Sequence, residues 1–429
     1  MKYKKSMYNI FIVTRKNGDA LYYNSASGSV SWLNKDIQEA FATNDISQIE
    51  GQDYFSALLK NGFVINTEIN EYTRYLFKSM EFIMESNSDF VSYTIALTMN
   101  CNLKCIYCFE SGRNHGSVSA DMLDDIYTFI TCQIITLKKR RLHITWFGGE
   151  PLLTYNLLIR LSTKIVLFCE ENHVEYDASI ITNGILLSEE KIDELVSIHK
   201  IKNIQITLDG DIDFYTKYKK ASIAQFNKVI HNIKLLGENN KVNLTLRLNT
   251  CEDNKESIIN IVEKITANKK FHCYLYAGRM MNYGLNSFEE MEEKNFFEFE
   301  KRINHIASKY PEYMSITQKR LHPKGANCGA LSCNTCVIDA MGKLYRCEHH
   351  INNPEFIIGD VKKGFYRNDI DSCFLFNNYL SKCKECCVFP ICMGGCTSDR
   401  LIYKKNVNCE VVYNRVINNV KIISNVENL

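Results

Sequence analysis

From residue 92 to about residue 280, short apolar runs alternate with amphipathic stretches. VSYTIAL, LHITWF, ASIIT, NIQITL, NLTLRL and FHCYLYA are rich in β-branched and aromatic residues, which predicts strands. Between them, segments such as LSTKIVLFCEEN and KIDELVSIHK space their apolar residues as helices do. Strands that alternate with helices predict repeated β–α units and a parallel sheet, as a barrel or an open sheet. Six strands fall short of a full eight-unit barrel, so the expectation is a partial (β/α)6 barrel of α/β class. Chemistry in such folds gathers at the carboxyl ends of the strands. The polar signals sit there: three cysteines after the first strand, Gly148-Gly149-Glu150-Pro151 after the second, Thr182-Asn183-Gly184 after the third, Asp209-Gly210 after the fourth, and Asn249 at the fifth.

The flanks read differently. YNIFIVTRKNGDALYYNSASGSVSWL contains two strand-like runs split by Asn17-Gly18, a hairpin signal. NKDIQEAF then reads as a helix, and YFSALLKNGFVI as a helix stopped at Asn61-Gly62 before another strand. This predicts an α+β unit over residues 1–85, followed by the β/α core over 86–285. Residues 286–326 are charged and helical and read as a bridge. Residues 327–429 are cysteine-rich and poor in regular pattern.

Formal net charge is +2, from 51 basic and 49 acidic side chains, which implies no nucleic-acid scaffold and no membrane-surface protein. No apolar run approaches the roughly 20 residues of a membrane span. The opening MKYKKSMYNIFIV is basic and then strand-like, with no small-residue cleavage site, so no signal peptide is read. Cysteine changes the picture. Eighteen cysteines without an export signal point to metal binding in a reducing cytoplasm rather than to disulfides. Three fall in 101–108, four in 328–347 and six in 383–409; Cys132, Cys169, Cys251, Cys273 and Cys373 are scattered and read as small buried hydrophobes.

Cys101, Cys105 and Cys108 are separated by three and then two residues. A disulfide uses two thiols, and a zinc site takes four protein ligands or three and a water. Three thiolates suit an iron–sulfur cube with one open iron, the alternative being a zinc site with a distant fourth ligand. With Tyr107 as the aromatic residue before the third cysteine, the motif resembles that of the radical S-adenosylmethionine (radical SAM) superfamily. The resemblance implies that the open iron binds S-adenosylmethionine and that one electron cleaves it to a 5′-deoxyadenosyl radical. WFGGEP resembles the superfamily's glycine-rich turn: Gly148 and Gly149 let the backbone approach a ligand, and Glu150 accepts from its ammonium group. ITNG and TLDG resemble the strands that contact the cofactor, through Asn183, Thr207 and Asp209; as helix caps these residues have an alternative reading. Period two puts Arg247 and Asn249 on one strand face, both toward the barrel interior. Relatives often carry an arginine about ten residues after the Asp-Gly pair, to grip the cofactor's carboxylate. Lys219 stands there, a point charge in place of a fork.

In the carboxyl-terminal third, Cys328, Gly342 and Cys347 are followed by CKECCVFPICMGGC and by Cys409. This resembles the SPASM extension, which holds two auxiliary clusters. The resemblance implies one cluster on Cys328, Cys347, Cys396 and Cys333, with Cys336 competing for the last place, and another on Cys383, Cys386, Cys392 and Cys409. Cys387 reads as an inert neighbour, and His349-His350 as loop residues. The texture of residues 1–85 resembles winged-helix-like peptide-recognition domains, which add a leader-peptide strand to a sheet edge; a structural cap is the other reading. Together these resemblances imply a cytoplasmic peptide maturase with three [4Fe–4S] clusters and S-adenosylmethionine. Its partners would be a precursor peptide, with a leader and a cysteine-containing core, and an external electron donor of flavodoxin or ferredoxin type. The implied product is a cysteine thioether crosslink. Alternatives are formylglycine formation by a sulfatase maturase and a non-catalytic metal protein. No catalytic base is identified.

Overall fold

The computed structural model describes residues 2–426 apart from 85–88, 111–115, 239–240, 268–270, 282–287, 310–312, 316–320, 327 and 377–378. The chain forms two compact units that cut across the expected four-part division. One comprises 1–86, 317–333 and 375–429; the other comprises 87–316 and 334–374.

In the first unit, β1 (Tyr3–Lys5) pairs with β5 (Val64–Asn66), and β2 (Asn9–Thr14), β3 (Ala20–Asn24) and β4 (Val30–Leu33) form an antiparallel sheet. The expected hairpin joins β2 to β3: Gly18 has φ +89° and Gly18 N donates to Arg15 O at 2.9 Å. Helix Lys35–Thr43 starts on Asn34, whose side chain accepts from Ile37 N, and helix Phe55–Lys60 stops at Asn61-Gly62 as its sequence predicts. Leu33, Ile37, Phe41, Phe55, Leu58 and Phe63 close one core within the amino-terminal residues, and further clusters are shared with the other end of the chain. Ile10, Ile12, Leu21 and Tyr23 pack with Val388, Ile391, Val416 and Val420, and Tyr8 and Tyr75 pack with Phe389, Met393 and Cys383. Hydrophobic burial therefore makes the two ends of the chain one unit.

The second unit is built on β6 (Phe90–Ala96), β7 (Arg141–Phe147), β8 (Glu175–Thr182), β9 (Ile201–Thr207), β10 (Asn243–Thr250) and β11 (Cys273–Arg279), parallel and adjacent in chain order. All six predicted strands are present. Two further parallel strands extend the sheet: β12 (Tyr313–Ser315) beside β11, and β13 (Thr335–Ile338) beside β6. Beyond β13 lie the antiparallel β14 (Lys343–Tyr345), β15 (Gly359–Asp360) and β16 (Gly364–Phe365). The region expected as a bridge is part of this unit, since helix Glu293–Ser308 buries Phe296, Phe299, Ile303 and Ile306 in its core.

Strand alternation sorts the two faces of the sheet. Leu142, Ile144 and Trp146 of β7 and Leu244, Leu246 and Leu248 of β10 join the apolar core, each worth about 1.5–3 kcal/mol. His143, Thr145, Thr245 and Arg247 fall on the other face. Segment Pro151–Glu171 is long and apolar enough to cross a membrane by composition, but its Leu158, Leu161 and Ile165 are buried in the same core.

Candidate active site

The loop after β6 carries Cys101, Cys105 and Cys108, and its backbone is held at several points independent of the thiols. Gly149 N donates to Thr98 O at 3.1 Å and Glu150 N to Asn100 O at 2.9 Å. Lys104 N and Ile106 N donate to the carbonyls of Lys219 and Tyr218 at 3.3 and 2.8 Å, fixing the loop on the end of helix Ile212–Lys219. Gly148 has φ +125°, and a Cβ there would stand 2.1 Å from Thr98 O; one on Gly149 would stand 2.4 Å from Asn100 O. At both positions the atoms that a Cβ would meet are backbone atoms of the segment leading into the cysteine loop, Thr98 to Asn100.

Glu150 is fully buried. Its Oε1 accepts from Leu152 N at 3.0 Å and Thr182 Oγ1 at 2.7 Å, and its Oε2 from Asn183 N at 2.8 Å. Burial raises its pKa and these three donors oppose the rise. The carboxylate clamps the ends of β7 and β8 together. Asn183 Nδ2 donates to Asn102 Oδ1 at 2.7 Å and lies 3.9 Å from Cys101 Sγ, beside the first thiol.

Below the loop, Tyr107 donates to Asp209 Oδ2 and accepts from Asn249 Nδ2 at 3.3 Å. Lys219 Nζ donates to Thr207 Oγ1, lies 3.7 Å from Asp209 Oδ2 and stands over the Tyr215 ring. Lys219 is 1% exposed and Asp209 fully buried, so both are supports under the loop rather than open contacts. Arg247 Nε donates to Asn249 Oδ1 at 2.9 Å, so these two residues do share a face, and the guanidinium lies over Tyr276.

Burial pushes the Cys101 thiol up to about 11 and Cys108 to about 12, with neighbouring acids and thiols adding to the rise. Ionising these crowded thiols is costly unless a cation compensates, so the donor set fits a cluster held by three thiolates. Leu103 N already points at Cys101 Sγ, at 3.4 Å.

The first unit holds a second group of thiols. Cys383 and Cys386 lie on consecutive turns, and Cys392 is separated from Cys396 by a left-handed run through Met393, Gly394 and Gly395. Cys409 opens helix Cys409–Ile423. Burial pushes Cys392 up to about 11, and Cys386, Cys409 and Cys383 add to it, so these four thiols are neighbours. Cys396 is likewise raised to about 11 by burial, with Cys328 among its charged neighbours. Cys333 Sγ donates to Met84 O at 2.7 Å, whereas Cys336 lies on β13 in the apolar core, pushed up to about 12 by burial. Cys328, Cys333 and Cys396 belong to the first unit and Cys347 to the second. Among the described residues, no three His, Cys, Asp or Glu side chains converge on a position for a single metal ion. Of the scattered cysteines, Cys169, Cys251 and Cys273 are buried as expected, while Cys132 and Cys373 are exposed.

One polar group escaped the sequence reading. His143 Nδ1 bonds Asp177 Oδ1, and its Nε2 lies 3.1 Å from Ser179 Oγ and 3.3 Å from Thr145 Oγ1. All four residues lie on the non-helical face of β7 and β8; polar residues at alternate positions in LHITWF and EYDASIIT were the available signal.

Residues 95–265 match the family model for the radical SAM superfamily. A cysteine-type anaerobic sulfatase-maturating enzyme of Clostridium novyi is 22% identical over 343 residues, 70% of this chain and 86% of that protein. Among solved structures, native anSMEcpe with bound AdoMet and Kp18Cys peptide matches with TM-score 0.62 at 18% identity, over 79% of this chain and 100% of that one. Streptococcus suis SuiB bound to precursor peptide SuiA matches with TM-score 0.56 at 16% identity, over 94% and 97%. These two likenesses are of fold. The matched residues run from the end of β6 through helix Lys255–Thr266 and include the cysteine loop, the Gly148–Glu150 turn and the Asp209–Lys219 pair. Residues 95–265 of this chain are a radical SAM domain.

Proposed function

We propose that this protein is a peptide maturase that forms cysteine thioether crosslinks in a precursor peptide. The observation that carries the peptide reading is the extent of the fold match: the SuiB structure with its precursor peptide covers 94% of this chain, against 79% for the sulfatase-maturase structure. Cys101, Cys105 and Cys108 hold one [4Fe–4S] cluster, and Cys383, Cys386, Cys392 and Cys409 another. Cys328, Cys347, Cys396 and Cys333 hold a third, Cys333 being preferred because Cys336 is part of the apolar core. The first cluster, when bound, supplies the electron for reductive cleavage of S-adenosylmethionine. Gly148, Gly149, Asn183 and Arg247 form the rim that receives the cofactor, with Glu150, Tyr107, Thr207, Asp209 and Lys219 fixing that rim. The three-stranded sheet of the first unit offers its edge to the leader.

Thioether formation removes one hydrogen atom from a substrate carbon, taken by the 5′-deoxyadenosyl radical, one proton from a thiol, released to solvent, and one electron, which the auxiliary clusters would accept and which offsets the electron spent on S-adenosylmethionine. Each link therefore makes the peptide lighter by one pair of hydrogens, with one 5′-deoxyadenosine formed. Mass spectrometry of the peptide after reduction and thiol alkylation tests this: crosslinked fragments should resist alkylation. The relationship to the sulfatase-maturating enzyme favours a second reading, formylglycine formation. An aldehyde on a single cysteine or serine, without crosslinked fragments, establishes that reading instead.

A further inference from the structure

Lys219 and Asp209 form an ion pair under the cysteine loop, 1% and 0% exposed, in a chain whose other Lys–Asp pairs mostly face solvent. The ammonium is immobilised by Thr207 Oγ1, by Asp209 at 3.7 Å and by the Tyr215 ring at 5.1 Å. Its distance from the loop is fixed as well, because the carbonyls of Tyr218 and Lys219 accept from Ile106 N and Lys104 N. Charges act strongly across such a dry interior.

Resting on the superfamily assignment, we propose that Lys219 is a fixed countercharge that raises the reduction potential of the cluster held by Cys101, Cys105 and Cys108, and that Asp209 moderates it. Lys219 acts as a positioning residue through the cluster rather than as a grip on the cofactor's carboxylate. The sign follows from charge. One-electron reduction by a low-potential donor adds a negative charge to the cluster, and a buried ammonium beside it stabilises the reduced form.

The test is a redox titration of the reconstituted full chain, followed by electron paramagnetic resonance. The relevant signal is the one absent from the Cys101→Ala/Cys105→Ala/Cys108→Ala variant. Lys219→Met, of similar volume, should lower the one-electron reduction constant about tenfold, a shift of about 59 mV toward negative potential. Asp209→Asn should shift the midpoint the other way. An unmoved midpoint in Lys219→Met, or shifts of the same sign in both variants, overturns the proposal. So does a loss of S-adenosylmethionine affinity with the midpoint unchanged, which would return Lys219 to the carboxylate. If Lys219→Met loses the cluster outright, Lys219→Arg must keep the wild-type midpoint and Asp209→Asn must still raise it; failure of either overturns the proposal. If instead the triple cysteine variant loses no signal, the assignment of the cluster to this loop has failed, independently of Lys219.

Discussion

The two groups of cysteines are held by different means. Around Cys101, Cys105 and Cys108 the scaffold is complete without the thiols: backbone bonds from Gly149, Glu150, Lys104 and Ile106, the Glu150 clamp and the Lys219–Asp209 pair fix the loop on strand ends. Around Cys383, Cys386, Cys392 and Cys409 the scaffold is a series of turns, one left-handed run and a helix start, packed on β2 and β3 from the far end of the chain. The first group is a site mounted on a preformed sheet. The second belongs to a small unit whose order depends on both chain ends and, if the proposed cluster binds, on the metal.

Deleting residues 1–85 breaks this comparison most severely. It strips Ile10, Ile12, Leu21 and Tyr23 from the core they share with Val388 and Val416, at about 1.5–3 kcal/mol each, a loss comparable with the whole stability of a domain. The truncated protein should lose the iron of the carboxyl-terminal cysteines and become protease-sensitive over 375–429, while retaining the iron of the first site. Iron content unchanged by the deletion would make the amino-terminal residues a detachable module. For that reason, leader recognition is better tested by charge or proline substitutions on the sheet edge than by truncation.

Removing thiols gives the next largest effect, and it should be unequal. The triple alanine variant at 101, 105 and 108 should lose one cluster and all cleavage of S-adenosylmethionine, with the second unit's melting little changed. The quadruple variant at 383, 386, 392 and 409 should also lose one cluster, but its first unit should be cleaved by protease about tenfold faster or more, equivalent to about 1.4 kcal/mol. Equal stability losses in the two variants would remove the distinction between a mounted site and a metal-dependent one.

The sequence made the mounted site readable because its parts are local: a cysteine motif, a glycine turn and strand-end polar residues, each within a few positions. What it hid was non-local. Val388 and Val416 look like ordinary apolar residues until Ile10 and Leu21 are beside them. β12 is three residues long and β13 is embedded among cysteines, so neither gives the periodicity that betrayed the other six strands. Glu150 and Lys219 stand out in the sequence as polar positions at element ends, but sequence could not show that Thr182 and Asn183 bond the one and that Thr207 and Asp209 face the other. His143 was missed because a single histidine in an apolar run gives no hint of Asp177 on the next strand.

Two glycine substitutions sharpen the contrast at smaller cost. Gly149→Ala sets a methyl group 2.4 Å from Asn100 O, where rigid backbone must move, and should destabilise by about 3 kcal/mol while lowering iron at the first site. Gly395→Ala meets a Val407 methyl at 2.4 Å, which a side chain can turn aside, leaving the cost of a left-handed residue at φ +77°, about 1–2 kcal/mol. Calorimetry should therefore rank Gly149→Ala as the more damaging. The reverse order would mean that the turns near Cys396 are more rigid than the strand ends.

The smallest effect should come from adjacent thiols. Cys386 is a neighbour of Cys383, Cys392 and Cys409; Cys386 and Cys387 both pack against the apolar cluster of Val388 and Ile391, and the Cys387 carbonyl accepts from Ser25 Oγ. Alanine at 387 keeps that carbonyl and removes one partly buried sulfur, for a loss of about 1 kcal/mol or less. Alanine at 386 removes a proposed cluster ligand. Iron analysis and anaerobic melting of the two single variants should thus separate positions one residue apart: iron down in Cys386→Ala, unchanged in Cys387→Ala. Iron lost from both would show that Cys387 is a ligand or that the turn tolerates no change. Iron lost only from Cys387→Ala would shift the motif by one residue and exchange the ligand with its neighbour.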